Sequence, residues 1–114
     1  MSTVVRSTTD AEKTIGEMAD RIAKRFRPEK IILFGSYARG TAGPDSDADF
    51  LVVMPVTGSR REAAIEIDVA ISGMGLAKDV FVATPEDMRV YGRRPGTLAS
   101  IALREGRTLY EHPA

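Results

Sequence analysis

The chain has 114 residues, 16 basic and 16 acidic, so its formal net charge is zero; this excludes a general nucleic-acid binder, which needs a basic excess to neutralise the phosphates it covers. It has no cysteine, which excludes disulfides, thiol catalysis and zinc–thiolate sites. No apolar run approaches the about 20 residues that span a bilayer, and MSTVVRSTTD lacks the apolar core of a secretion signal, so a soluble, cytoplasmic protein built as one domain over 1–114 is expected.

Residues 1 to 8 show no helical period and read as a frayed arm. Thr9 with Glu12 three residues on reads as a capping box, and Ile15, Met18, Ala19, Ile22 and Phe26 follow at helical spacing until Pro28. The basic residues Arg21, Lys24, Arg25, Arg27 and Lys30 are interrupted by Glu29 and spread around that helix, which fits a solvated helix end rather than a binding patch. IILF, Ile31 to Phe34, is a buried strand ended by Gly35; Tyr37 to Arg39 can make a short helical turn, and 40 to 44 must be loop. From Asp47 the pattern alternates, with Asp47, Asp49, Leu51 and Val53 on one face and Ala48, Phe50 and Val52 on the other, until Pro55.

Residues 59 to 72 carry Ala63, Ile67, Ala70, Ile71 and Met74 at helical spacing, with glycines at 73 and 75 near the C-cap. DVFVA, Asp79 to Ala83, is a third strand, and Thr84, Pro85 and Asp87 make a helix start with Thr84 as N-cap. YGRRPG leads to a last helix over Thr97 to Glu105, and Gly106 returns the chain to a short strand, Thr108 to Tyr110. Helices and strands alternate in the manner of an α/β (α+β) fold, a small mixed β-sheet flanked by helices.

The stretch GSYARGTAGPDSDADF, Gly35 to Phe50, lies between two strands that must both be buried. Asp47 and Asp49, one residue apart on a strand, point to one face about 6 to 7 Å apart at the backbone, so their side chains can converge. Like charges placed this way call for a positive partner, and a divalent cation with oxygen ligands suits them. The alternative is a polar turn at Asp45, Ser46 and Asp47, with Asp49 alone facing water. Gly35 and Ser36 can likewise be ordinary turn chemistry. A strand running into a helix start, however, also offers free N–H groups, a hydroxyl and the positive end of a dipole, with Arg39 one turn further on: a phosphate cradle.

Asp79 begins the third strand on the face of Phe81 and Ala83. If that strand pairs beside the second, three carboxylates meet at one end of the sheet, enough for two metal ions and for accepting a proton from an attacking hydroxyl; otherwise Asp79 ends its strand in solvent. Tyr37 and Tyr91 can stack on a base or serve as packing, and His112, the single histidine, sits in a polar tail and is read as incidental.

Gly35-Ser36, ten residues and then Asp47-x-Asp49, set in GSYARG…SDADF and followed by DVFV, resembles the signature of the DNA polymerase beta-like nucleotidyltransferase superfamily. The small size and both ends, including the closing REGRTLYE, resemble the minimal nucleotidyltransferases, many of which are antitoxins paired with a small helical HEPN toxin. The resemblance implies the nucleotidyltransferase fold and a set of roles. Gly35 and Ser36 would bind the triphosphate, with Arg39 helping to hold it. Asp47 and Asp49 would hold two magnesium ions, for which manganese can substitute, and Asp79 would complete the catalytic metal and favour deprotonation of the acceptor. Phe50 stands where many relatives have leucine, a tolerable change on an apolar face.

The activity so implied is metal-dependent transfer of a nucleoside monophosphate, AMP from ATP, to an acceptor hydroxyl, a tyrosine of a HEPN partner, with release of pyrophosphate. Larger members carry a further domain for the acceptor, and these residues leave no room for one, so the acceptor pocket is expected to be completed by a second protein or a second copy. Neither a membrane nor direct nucleic-acid binding is expected. Two rival readings are a small-molecule nucleotidyltransferase acting as a dimer and a non-catalytic module that binds nucleotide or partner; the latter has no need of a third carboxylate in register.

Overall fold

The computed structural model describes residues 8 to 112. Each element begins where the sequence supplies a reason. The first helix, α1 (Thr8–Phe26), turns Ala11, Ile15, Met18, Ala19 and Ile22 into the core. It is already helical at Thr8, so Thr9 is not its N-cap: burial of Ala11 carries the apolar stripe a turn earlier than the expected start, and of the expected arm only Thr8 is described. The strand β1 (Lys30–Phe34) follows, then the single turn α2 (Ser36–Arg39) and β2 (Ala48–Val53).

Ser59 caps α3 (Arg60–Ala70) by accepting the Glu62 N–H at 3.1 Å. β3 (Lys78–Ala83) leads to α4 (Pro85–Tyr91), whose expected start is realised as a full capping box. The Asp87 N–H donates to Thr84 Oγ1 at 3.0 Å and the Thr84 N–H to Asp87 Oδ2 at 2.9 Å. Thr97 caps α5 (Leu98–Glu105) through the Ser100 N–H, and β4 (Arg107–Glu111) closes the chain's sheet.

The four strands lie in the order β3-β2-β1-β4, with β1 antiparallel to both neighbours and β3 parallel to β2 across the α3 crossover. Alternation along β2 sorts the core into two halves, as its sequence pattern required. Ala48, Phe50 and Val52 join Ile31 and Leu33 against α1 and α3. Leu51 and Val53 join Ile32, Phe34 and Ala83 against α5, with Met88 of α4 packed alongside. Phe50, Ile15, Ile22 and Leu33 are fully buried, and each such side chain contributes about 1.5–3 kcal/mol relative to exposure. The helix expected over 59–72 is shorter, ending at Ala70, with Ile71 as a buried C-cap. Among the described residues no helix is long and apolar enough to cross a membrane.

Candidate active site

The parts of the loop and of β3 meet at the end of the sheet where β1 stops and β2 begins. Asp49 is level with Phe34 of β1 on one side and with Asp79 of β3 on the other. Neighbouring strands are about 4.8 Å apart, and residues in one row of a sheet share a face, so the two carboxylates stand side by side. The condition attached to Asp79 is thus met: β3 pairs beside β2, in the register that aligns the acids. Asp47 sits one residue before β2, exposed; Asp49 is half-buried and Asp79 exposed. Behind them Phe34 and Phe81 pack with ring centroids 5.8 Å apart, an apolar floor on the same face.

The glycine-serine turn touches this row directly. Gly35 has φ 78° and ψ −156°, a region essentially closed to residues with a side chain, and a Cβ built on it would overlap Oδ2 of Asp49. The chain then makes one helical turn: the Ala38 and Arg39 N–H groups return to the Gly35 carbonyl at 3.1 and 3.0 Å, and the Thr41 N–H to the Ser36 carbonyl at 3.0 Å. Ser36 and Tyr37 stand at the start of this turn, where N–H groups have no helical acceptor, and among the described residues nothing pairs with the Ser36 hydroxyl. Tyr37 itself is buried in the core, which settles it as packing. Tyr91 is exposed, with the Arg94 guanidinium 5.1 Å from its ring centre.

The loop between α2 and β2 is pinned just before Asp47. The Gly43 N–H donates to Ser46 Oγ at 2.8 Å, and the Ser46 N–H returns to the Gly43 carbonyl at 3.1 Å. The polar turn weighed as an alternative therefore exists, and it coexists with the acidic row.

Electrostatics tie the row together. The Asp49 carboxyl is held above its ordinary range, first by burial and then by the charges of Asp79 and Asp47, while Arg39 pulls the other way. Arg39 thus lies within the field of Asp49, as its position one turn along required. Its Nη1 donates to Glu105 Oε1 at 2.9 Å. Glu105 carried no signal in the sequence, because it reaches the site from 66 residues away on α5.

The three aspartates form a row rather than a closed cage: among the described residues no three His, Cys, Asp or Glu side chains are grouped closely enough to hold an ion. The convergence expected from spacing is to that extent looser. The donor chemistry nevertheless fits a hard divalent cation, since all three groups are carboxylates and their mutual repulsion is what such an ion relieves.

A family model described as nucleotidyltransferase domain matches residues 15–106. The Methanocaldococcus jannaschii protein named "Putative protein adenylyltransferase" is 48% identical over 44 residues, which cover 37% of this chain and 44% of that protein, so the match spans less than half of the relative. A crystal structure described as "a putative nucleotidyltransferase from Sulfolobus solfataricus" has the same fold, with a TM-score of 0.68 over 98% of this chain and 90% of that one at 18% identity. A toxin-antitoxin crystal structure with AMP-PNP matches with a TM-score of 0.50 at 27% identity, over 89% of this chain and 73% of that chain.

Proposed function

Because the chain belongs to the nucleotidyltransferase domain family, matched over residues 15–106, we propose that it transfers AMP from ATP to a hydroxyl of a partner protein. The observation that carries this reading is the contact of Gly35 with the Asp49 carboxylate, in register with Asp79. It sets a turn suited to phosphate directly against a row of acids suited to a metal.

The residues divide the work by chemistry. The N–H groups of Ser36 and Tyr37 and the Ser36 hydroxyl donate to phosphate oxygens, and Gly35 lets the backbone approach without a side chain in the way. The Arg39 guanidinium neutralises charge on the same phosphates. Asp47 and Asp49 would hold magnesium, or manganese, with Asp79 completing the set. Bound there, a pair of such ions supplies neutralisation of the triphosphate and polarisation at the α-phosphate.

The acceptor oxygen forms a bond to the α-phosphorus as the bond from that phosphorus to the bridging oxygen of the β-phosphate breaks. The electron pair leaves with pyrophosphate, and the hydroxyl proton passes to the Asp79 carboxylate. Transfer of this kind needs chiefly positioning and charge neutralisation, both within reach of a turn and three carboxylates.

The partner we propose is a helical HEPN-type toxin, and the acceptor one of its tyrosines. Likeness to a toxin-antitoxin structure with AMP-PNP and to a protein named as an adenylyltransferase supports this reading. A bulky anion placed on a nuclease-like surface would repel RNA phosphates and silence it. The test is intact-mass analysis of a candidate helical HEPN-type partner, after incubation with the chain, ATP and magnesium. An AMP-sized gain, absent with Asp47→Ala, is the expected result; an unmodified partner alongside adenylylation of a small-molecule hydroxyl would favour the small-molecule enzyme instead.

A further inference from the structure

β3 is an edge of the sheet, and no strand of the described residues pairs with its outer side. The parallel register decides which backbone groups face out. The Ala48 N–H donates to the Ala77 carbonyl at 2.9 Å and the Met54 N–H to the Ala83 carbonyl at 3.0 Å, with Asp49 level with Asp79 between them. In such a ladder alternate residues point the same way. Asp79, Phe81 and Ala83 therefore direct N–H and C=O towards β2, and Val80 and Val82 direct theirs outward. A free row of this kind is a template for another extended chain.

A groove of about 450 Å³ wraps this edge, walled by Ile65 and Arg61 of α3, Phe81 and Val82 of β3 and Leu98 of α5, with Asp79 in its lining. Its large apolar side chains lie open, Ile65 at 52% and Phe81 at 38% exposure. The charges around it are ordered. Asp68 is matched by Lys78 at 3.0 Å near the Asp79 end, and Arg60 by Asp87 at 2.5 Å near the other. Arg61, beside Arg60, has no ion pair among the described residues.

We propose that this edge seats the acceptor. An extended segment of the acceptor protein adds to the four-stranded sheet, bonds the outward N–H and C=O groups of Val80 and Val82, and carries its hydroxyl side chain level with Asp79. Residues paired across neighbouring strands share a face, so that side chain enters the face that holds Asp49. The walls accept a tyrosine ring between Phe81 and the segment's own backbone. From Asp68 back to Arg61 α3 rises about 10 Å, roughly three residues of extended chain; an acidic side chain at that distance from the acceptor meets Arg61. A helical partner can offer such a segment only from a loop or a tail. A second copy of this chain on the same edge would close the groove over Asp79 in both copies, so it is not the occupant.

The inference rests on the transfer reading above, and its test separates the two. The probe is the synthetic peptide Glu-Thr-Val-Tyr-Val-Thr-Glu at millimolar concentration, added to the chain with ATP and magnesium. Amide hydrogen exchange at Val80 and Val82 should slow by about tenfold while Phe81 and Ala83, already paired to β2, stay unchanged. The tyrosine should gain an AMP-sized mass. Val80→Pro removes an outward N–H at an edge, where proline is tolerated, and Ile65→Glu alters an exposed wall without touching the core. Both should weaken peptide protection at least fivefold and leave ATP affinity within about twofold.

Protection without transfer upholds the seat and overturns the transfer reading. Transfer with Val80 and Val82 exchanging at their free rates, or transfer undiminished in both variants, overturns the seat. Mutual protection of Val80 and Val82 in the chain alone at high concentration would assign the edge to a second copy and overturn it as well.

Discussion

Gly35 lies against the carboxylate of Asp49 so closely that a single added methyl group would overlap Oδ2. Two independent constraints therefore fix this residue as glycine: a backbone at φ 78° and ψ −156°, and a carboxylate oxygen with which a Cβ would clash. Gly35→Ala should lower stability by about 1–3 kcal/mol from backbone strain alone. It should also push Asp49 out of the acidic row. The expected result is a lowered melting temperature together with loss of nucleotide binding by calorimetry. Unchanged ATP affinity in a folded Gly35→Ala variant would mean that this contact serves the fold and not the site.

Asp49 is half-buried between two other acids, and its carboxyl is held above the ordinary range by burial, then Asp79, then Asp47. A carboxyl raised in the folded state contributes most to stability when protonated, below its unfolded value, and that contribution is lost as pH rises through the folded value. At neutral pH the ionised group is therefore a liability to the fold. Asp49→Asn should melt at the same temperature as the parent or slightly higher at pH 7, and the difference should shrink as pH falls through the raised value towards the ordinary one. Turnover should fall at least a hundredfold if the carboxylate bridges metal as proposed. A variant that unfolds at pH 7 would assign the aspartate a structural duty.

What was legible in the sequence was whatever repeats at short range. The two-residue period of β2 assigned Phe50 and Leu51 to opposite core halves, and Thr84, Pro85 and Asp87 announced the start of α4 with Thr84 as its N-cap. Five of the proposed site residues, Gly35, Ser36, Arg39, Asp47 and Asp49, were legible because the turn and the Asp-x-Asp pair are local patterns. Their assembly was not, because it depends on pairing between distant segments: the register of Asp49 with Asp79 follows from the α3 crossover, and no period in either strand encodes it. Glu105 was invisible for the same reason. The start of α1 was missed because its first core residue, Ala11, is too small to stand out as apolar.

Asp87 is the counterpart of Asp49 in its response to acid. Its carboxylate accepts from Arg60 Nε at 2.5 Å and Nη2 at 3.0 Å as well as from the Thr84 N–H, and these bonds, Arg60's foremost, hold its pKa below the ordinary range. A depressed carboxylate stabilises the fold above its unfolded value, and the benefit is lost as pH falls through the folded one. Asp87→Asn should therefore be less stable than the parent at pH 7, with the gap closing in strong acid, and Thr84→Ala should cost about 1 kcal/mol at either pH. Thermal melts from neutral to acid pH would read both. A constant gap for Asp87→Asn across that range would show that the box acts by geometry and not by charge.

The guanidinium of Arg39 is shared between two duties. It faces the Asp49 carboxyl through space and donates to Glu105 at 2.9 Å. Both partners of this ion pair remain partly open to water, at 48% and 34% exposure, so the pair contributes about 1 kcal/mol or less to the fold. If Arg39 holds phosphate as proposed, its consequence lies in binding, because a carboxylate already on the guanidinium competes with an arriving phosphate for the same donors. Arg39→Ala should lose about tenfold in ATP affinity, the worth of a charge-assisted contact, with little change in melting temperature. Glu105→Gln should do the reverse, tightening ATP binding by about two- to threefold through removal of a competing charge, most visibly at low salt. Calorimetric titration of ATP into the three proteins at two ionic strengths decides the matter. Weaker binding in Glu105→Gln would mean that the glutamate holds Arg39 in place for the phosphate instead of competing with it, and the sign of that one change separates the two roles.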